Sequence, residues 1–283
     1  MALETIDYEG EKLYSAKYDR IFKAEFGGDS EGLELLASFL SCILDVGVAA
    51  ENIVVDNSEV AADSKDDKQI RLDFIVTLAD GSVVNIEMQV GNKRDMGKRS
   101  LYNLSRLMAR QIGRQDEYKK LCPVIAINIL DFDYLERLDS YHNRFRMKEV
   151  ERNVEMSDAE YFEVNYIELP KLPEDAGDSM KELWVKFLSA KTEEDLKMLA
   201  MKKSIFRTAV SRLLRINASK RIRNAMERRD KRIRDYVSEL GEQFDNGVEK
   251  AKNESAKKMK EKGCDSAFIT EITGLSAEQI EQL

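Results

Sequence analysis

Two carboxylates and an amide, Asp73, Glu87 and Gln89, are the side chains whose types and spacing could do chemistry in this sequence. They sit in two alternating runs on either side of Ala79-Asp80-Gly81. On the first run Ile70, Leu72, Phe74, Val76 and Leu78 are apolar; on the second, Val84, Ile86, Met88 and Val90. Period-two alternation broken by a turn tripeptide predicts a β-hairpin. The two apolar rows share one face only if Leu78 pairs with Ser82 and Phe74 with Ile86. A two-residue Asp-Gly turn would slip the register by one and set apolar against polar. A three-residue loop with Gly81 in the left-handed conformation gives the required pairing. That register puts Asp73 across from Glu87 and Arg71 across from Gln89. Facing carboxylates on adjacent strands repel by about 0.2–1 kcal/mol, and a hard divalent cation held by their oxygens would offset this. The competing account is a solvated face on which Arg71 neutralises both acids. With Asn85 and Gln89 added, the polar row is richer than a solvated face requires, which favours a site.

Elements must position this row. Residues 17–46 read as two short helices broken at Gly27-Gly28, and residues 52–60 as a strand followed by a polar loop. After the hairpin, residues 99–119 return to helical periodicity through Leu101, Leu104, Leu107, Met108 and Ile112. The run VIAINIL after Pro123 predicts a strand buried on both faces. Weaker alternation over 144–156 and 161–169 predicts two more strands. Pro170 and Pro173 mark a boundary, after which everything reads as helix. The expected fold class is α/β with a helical C-terminal region.

The pattern R-L-D-F, then eleven residues, then I-E-M-Q-V resembles the Asp…Glu-x-Gln variant of the PD-(D/E)XK nuclease motif. KYDRIFKAEFG, KRSLYNLSRL, PVIAINILDF and FEVNYIELPKL follow in the matching order. Together they resemble the recombination-promoting nuclease and transposase family over about residues 15–175. The resemblance implies a restriction-endonuclease-like αβββαβ core with a mixed sheet and metal-dependent cleavage of DNA phosphodiesters. By this resemblance Asp73 and Glu87 hold Mg²⁺ (or Mn²⁺), and Asp73, Glu87 and Gln89 form the catalytic set. Leu72 stands where the motif has proline. Gln89 stands where it has lysine, so a positive charge must come from Arg71, Lys93 or Arg99. Asp19, on the first helix, and Tyr102, after the acids, complete the auxiliary candidates. The implied partition is a nuclease-like domain over 1–175, a basic helical region over 176–247 and a helix-turn-helix-like tail over 248–283.

Charge narrows the partners. The chain carries a net charge of −8, yet Lys202 to Arg234 holds 13 basic residues against Glu227 and Asp230. Such a block suits DNA phosphates, with Arg221, Arg223, Arg228 and Arg229 as the candidate contacts. The rival use is docking: the same charges would pair with the acidic remainder and hold the helical region in place. Apolar Phe206, Val210, Leu213, Ile222 and Met226 at helical spacing predict one amphipathic helix here. The last helix offers Glu278, Gln279 and Glu281, a poor phosphate surface, so the C-terminal helices are expected to serve self-association. One histidine, His142, excludes a multi-histidine metal site and reads as structural. Cys42, Cys122 and Cys264 have no paired spacing and read as small core hydrophobes. With no apolar run long enough for a membrane span and no signal-peptide pattern at the N-terminus, the expectation is a cytoplasmic protein. The functional expectation is a Mg²⁺-dependent DNA endonuclease tied to recombination or transposase-like activity. The alternative is a non-catalytic nucleic-acid-binding or interaction module on the same fold.

Overall fold

The computed structural model describes residues 5–56, 74–91 and 95–283. Asp73, Arg71, Leu72 and Lys93 lie outside the described residues. A short hairpin, β1 (Thr5–Tyr8) and β2 (Glu11–Tyr14), precedes helices α1 (Asp19–Phe26) and α2 (Ser30–Leu44). The break between the helices falls at Gly27-Gly28 as the sequence predicts, and Asp29 caps α2 by accepting from the Gly32 amide at 2.9 Å. Next come β3 (Val54–Asp56), β4 (Phe74–Thr77), β5 (Val83–Gln89), α3 (Met96–Ala109), β6 (Val124–Leu130), β7 (His142–Phe145) and β8 (Phe162–Glu168).

These strands build a six-stranded mixed sheet in the order β3-β4-β5-β6-β8-β7. β5, β6 and β8 are parallel in its centre; the outer pairings are antiparallel. The hairpin register is the one the apolar rows demand: Phe74 pairs with Ile86, Ile75 with Asn85 and Val76 with Val84. The Leu78 amide donates to the Ser82 carbonyl at 2.9 Å, and Gly81 has φ +84°. A Cβ on Gly81 would also stand 2.6 Å from Cys122 Sγ, so both backbone and space require glycine there.

Each sheet face has its own cover. On one, Phe74 meets Phe22 of α1 at 5.8 Å between ring centroids. Helices α4 (Met180–Ser189), α5 (Glu193–Lys202) and α6 (Ser204–Ala218) pack into this same unit. Trp184 of α4 lies among Phe26, Phe39, Phe187 and Phe206 at 4.7–6.1 Å, and its indole N–H donates to Ser38 Oγ at 3.1 Å. On the other face Met96, Leu104 and Leu107 of α3 pack over Ile75, Val124, Ala126, Leu130, Val164 and Tyr166. Glu87 alternates with Ile86 and Met88, so it points to the α3 side.

Four sequence readings need correction. The helix expected over 99–119 ends at Ala109. The Gln111 side chain there turns to the entry of β6, accepting from the Cys122 amide at 2.6 Å and donating to the Cys122 carbonyl at 3.0 Å. The strand expected over 144–156 is only four residues long and starts at His142; beyond Phe145 just one isolated bridge, Lys148 to Glu155, remains. The basic block is two helices, α6 and α7 (Lys220–Glu261), interrupted at Ser219. Phe206, Val210, Leu213 and Met226 are buried as expected. The three cysteines are free and half-buried, not core residues.

One compact unit ends at Arg223, and Asn224–Leu283 form a second. In the second, Ala256, Ile269, Leu275 and Ile280 make a small core from α7, α8 (Ser266–Thr273) and α9 (Ala277–Glu281). The capping box of Ser276 and Gln279 is present as read from sequence.

Candidate functional site

β5 is apolar on the α1 side and polar on the α3 side, and the polar row is buried. Asn85 is 1% and Glu87 3% exposed. A carboxylate placed inside a sheet layer needs compensation. Gln89 Nε2 donates to Glu87 Oε1 at 2.9 Å, and the Arg99 guanidinium of α3 closes on the same oxygen. Arg99 reaches it because α3 begins at Met96 and lays its first turn across the end of β5. Glu87 Oε2 is fully buried and has no hydrogen-bond partner among the described residues, and neither has Asn85 Oδ1. In a native interior such atoms are few; an unmet buried oxygen costs about 1–3 kcal/mol, and more on a charged group. Beside Glu87 on β6, Asn128 accepts from Ser100 Oγ at 2.9 Å and donates to the Asn165 carbonyl at 3.3 Å.

A second charge stands at the strand ends. Lys17 is 3% exposed, and its Nζ lies 2.7 Å from Asp131 Oδ2, immediately after β6. The Asp131 amide donates to the Gln89 carbonyl at 2.9 Å. Lys17 is therefore tied through Asp131 to Gln89 itself, at the C-terminal ends of the parallel strands. In open α/β sheets this is where ligands bind. Lys17, Asn128 and Asp131 are absent from the sequence reading. A polar residue inside the otherwise apolar VIAINIL run was the available signal for Asn128. Nothing local distinguishes Lys17.

Of the auxiliary candidates, Arg99 joins Glu87. Asp19 does not: it pairs with Lys23 at 3.0 Å on the outer face of α1. Tyr102 is 47% exposed on α3. In the basic block, Arg221 and Arg228 are exposed, and Arg223 donates to the Ala218 carbonyl at 3.1 Å. Arg212 and Arg215 serve docking. Arg212 donates to the carbonyls of Ala24, Glu25 and Gly27 at 2.8–3.1 Å and to Asp29 and Glu31 at 3.0 Å, and Arg215 also binds Glu31. His142 is structural, with Nε2 3.0 Å from Asn165 Oδ1; burial holds its pKa below the ordinary histidine value.

The family model of the PD-(D/E)XK nuclease family transposases matches residues 16–243. The chain belongs to that family. The match spans the whole sheet, both of its covering layers and most of α7, so the mixed α/β fold and the family agree. Neither the curated proteins nor the solved structures give a match to this PD-(D/E)XK chain. Among the described residues no group of three His, Cys, Asp or Glu side chains is placed to hold a metal ion, and no helix is long and apolar enough to cross a membrane. Nucleases of this family generally use divalent metals. The free, buried Glu87 Oε2 is one hard oxygen donor of the kind such an ion takes.

Proposed function

We propose that this PD-(D/E)XK protein is a divalent-metal-dependent DNA endonuclease that hydrolyses phosphodiester bonds in recombination or transposase-like events in the cytoplasm. The observation that carries the reading is the unpartnered Oε2 of buried Glu87. It belongs to a strand whose register, on which the facing of Asp73 and Glu87 depends, is the observed one from Phe74 onward. In this reading Asp73 and Glu87 hold Mg²⁺ or Mn²⁺, and the ion when bound polarises a phosphoryl oxygen and acidifies water.

The remaining roles fall to the chain's own groups. Gln89, which shares Glu87 Oε1 with Arg99, orients water through its amide. Arg99 supplies the positive charge that Gln89 cannot; its guanidinium is one-third exposed and can meet a phosphate oxygen while still facing Glu87. Lys17, fixed by Asp131, adds a second positive charge at the same end of the sheet. Self-association through α7 is supported by exposed Val237, Leu240 and Phe244 along it.

The test is nicking of supercoiled plasmid with Mg²⁺ by the full chain and by Asp73→Ala and Glu87→Gln variants with unchanged melting behaviour. Both variants are expected to lose cleavage; cleavage equal to the unaltered protein's overturns the assignment. The second reading, a binding module without catalysis, draws on Arg99 already neutralising Glu87. It predicts DNA binding with no nicking by any form.

A further inference from the structure

The outer face of α1 and the junction of α6 with α7 enclose a cleft of about 510 Å³ lined by Asp19, Arg20, Lys23, Ser219, Arg221 and Ile222. We propose that this cleft binds the phosphate backbone of the DNA that the candidate site acts on, a proposal that rests on the endonuclease reading for its choice of ligand.

The charges in the cleft are not used by the fold. Arg20 and Arg221 are exposed, and no acid among the described residues pairs with either. Lys23 shares its charge with Asp19. Three cations against one carboxylate leave the cleft positive in a chain whose net charge is −8. Their neighbours behave differently. Arg212 spends its donors on α1 carbonyls and on Asp29 and Glu31, and Arg215 binds Glu31. Within the same basic block Arg212 and Arg215 thus dock helices, whereas exposed Arg221 has no acid partner among the described residues. An unpaired guanidinium presents a planar set of donors that matches phosphate oxygens.

Position supplies the second argument. α1 starts two residues after Lys17, whose Nζ holds Asp131, and the Asp131 amide holds Gln89. Asp19, the first residue of α1 and two residues from Lys17, lines the cleft. The lining has no aromatic ring, and its apolar contribution is Ala24 and Ile222. The cleft thus suits backbone phosphates read without sequence preference rather than stacked bases.

The experiment measures binding of a short labelled DNA duplex to the full chain, without divalent metal, across a salt titration. Arg20→Gln/Arg221→Gln is compared with Lys12→Gln/Arg114→Gln, which removes the same charge from exposed positions elsewhere. Each lost phosphate contact reduces the slope of log K against log salt by about 0.9. The cleft pair should flatten the slope by about 1.8, and the control pair should leave it as it was, with both variants melting like the unaltered protein. An equal flattening by both pairs, no flattening by the cleft pair, or no duplex binding by the unaltered chain at low salt overturns the proposal. Because this titration is run without metal, a failure to nick plasmid in the separate Mg²⁺ assay sinks the endonuclease reading without touching this result.

Discussion

Arg99 of α3 and Glu87 of β5 meet through one carboxylate oxygen, leaving the other buried and without a hydrogen-bond partner among the described residues. The arrangement compensates the buried charge on one side only. Replacing Arg99 by Met removes the cation and leaves the Gln89 amide as the remaining donor to Oε1. The expected cost in metal-free buffer is about 1–3 kcal/mol, discounted from a fully buried pair because Arg99 is partly exposed. If Glu87 is a metal ligand, Mg²⁺ or Mn²⁺ should raise the melting temperature of Arg99→Met more than that of the unaltered protein, since a ligand stabilises the state that binds it. Thermal melts with and without metal check this; equal metal shifts argue against an ion at Glu87.

Glu25 of α1 is fully buried, both its carboxylate oxygens lack a hydrogen-bond partner among the described residues, and burial pushes its pKa up to about 9, against a lesser downward pull from Arg212. The unfolded chain releases this proton near the ordinary value of 4.5, while the folded chain keeps it to about 9. Between those values the folded state binds a proton that the unfolded state has lost, so stability from this group is complete below pH 4.5. It declines as pH rises through the window, by about 1.4 kcal/mol per pH unit for one proton at most. Urea midpoints from pH 5 to pH 9 should fall more steeply for the unaltered protein than for Glu25→Gln, which has no proton to lose. Parallel curves would show that Glu25 does not titrate in this range.

Arg212 joins the C-terminal carbonyls of α1 to Asp29, the N-cap of α2. Its guanidinium answers the negative end of one helix and fixes the start of the next. Arg212→Lys keeps the charge but cannot span those acceptors, so it should cost about 2–4 kcal/mol. Neutralising exposed Arg228 should change stability by less than about 0.5 kcal/mol. Denaturant unfolding of the two variants separates them, and similar midpoints would mean that Arg212 does not anchor α1.

Local chemistry in the sequence was enough for the hairpin. The apolar rows from Phe74 to Met88 allow one pairing, and Gly81 provides the only residue in that turn tripeptide free to take φ +84°. Period and composition likewise mark α1, α2, β6 and the capping box at Ser276, since each depends on neighbours within a few residues. What the chain could not show along its length was which charges meet across it. Lys17 reaches Asp131 across 114 residues, and Arg212 reaches Glu25 across 187. Both were legible only as members of ordinary charged runs. The contrast between Arg212, which docks α1 and α2, and Arg221, which has no acid partner among the described residues, is of the same kind. A guanidinium's use depends on which acceptors the packed helices bring within hydrogen-bond distance, and the packing of α1, α2 and α6 is settled by tertiary burial, not by the local sequence.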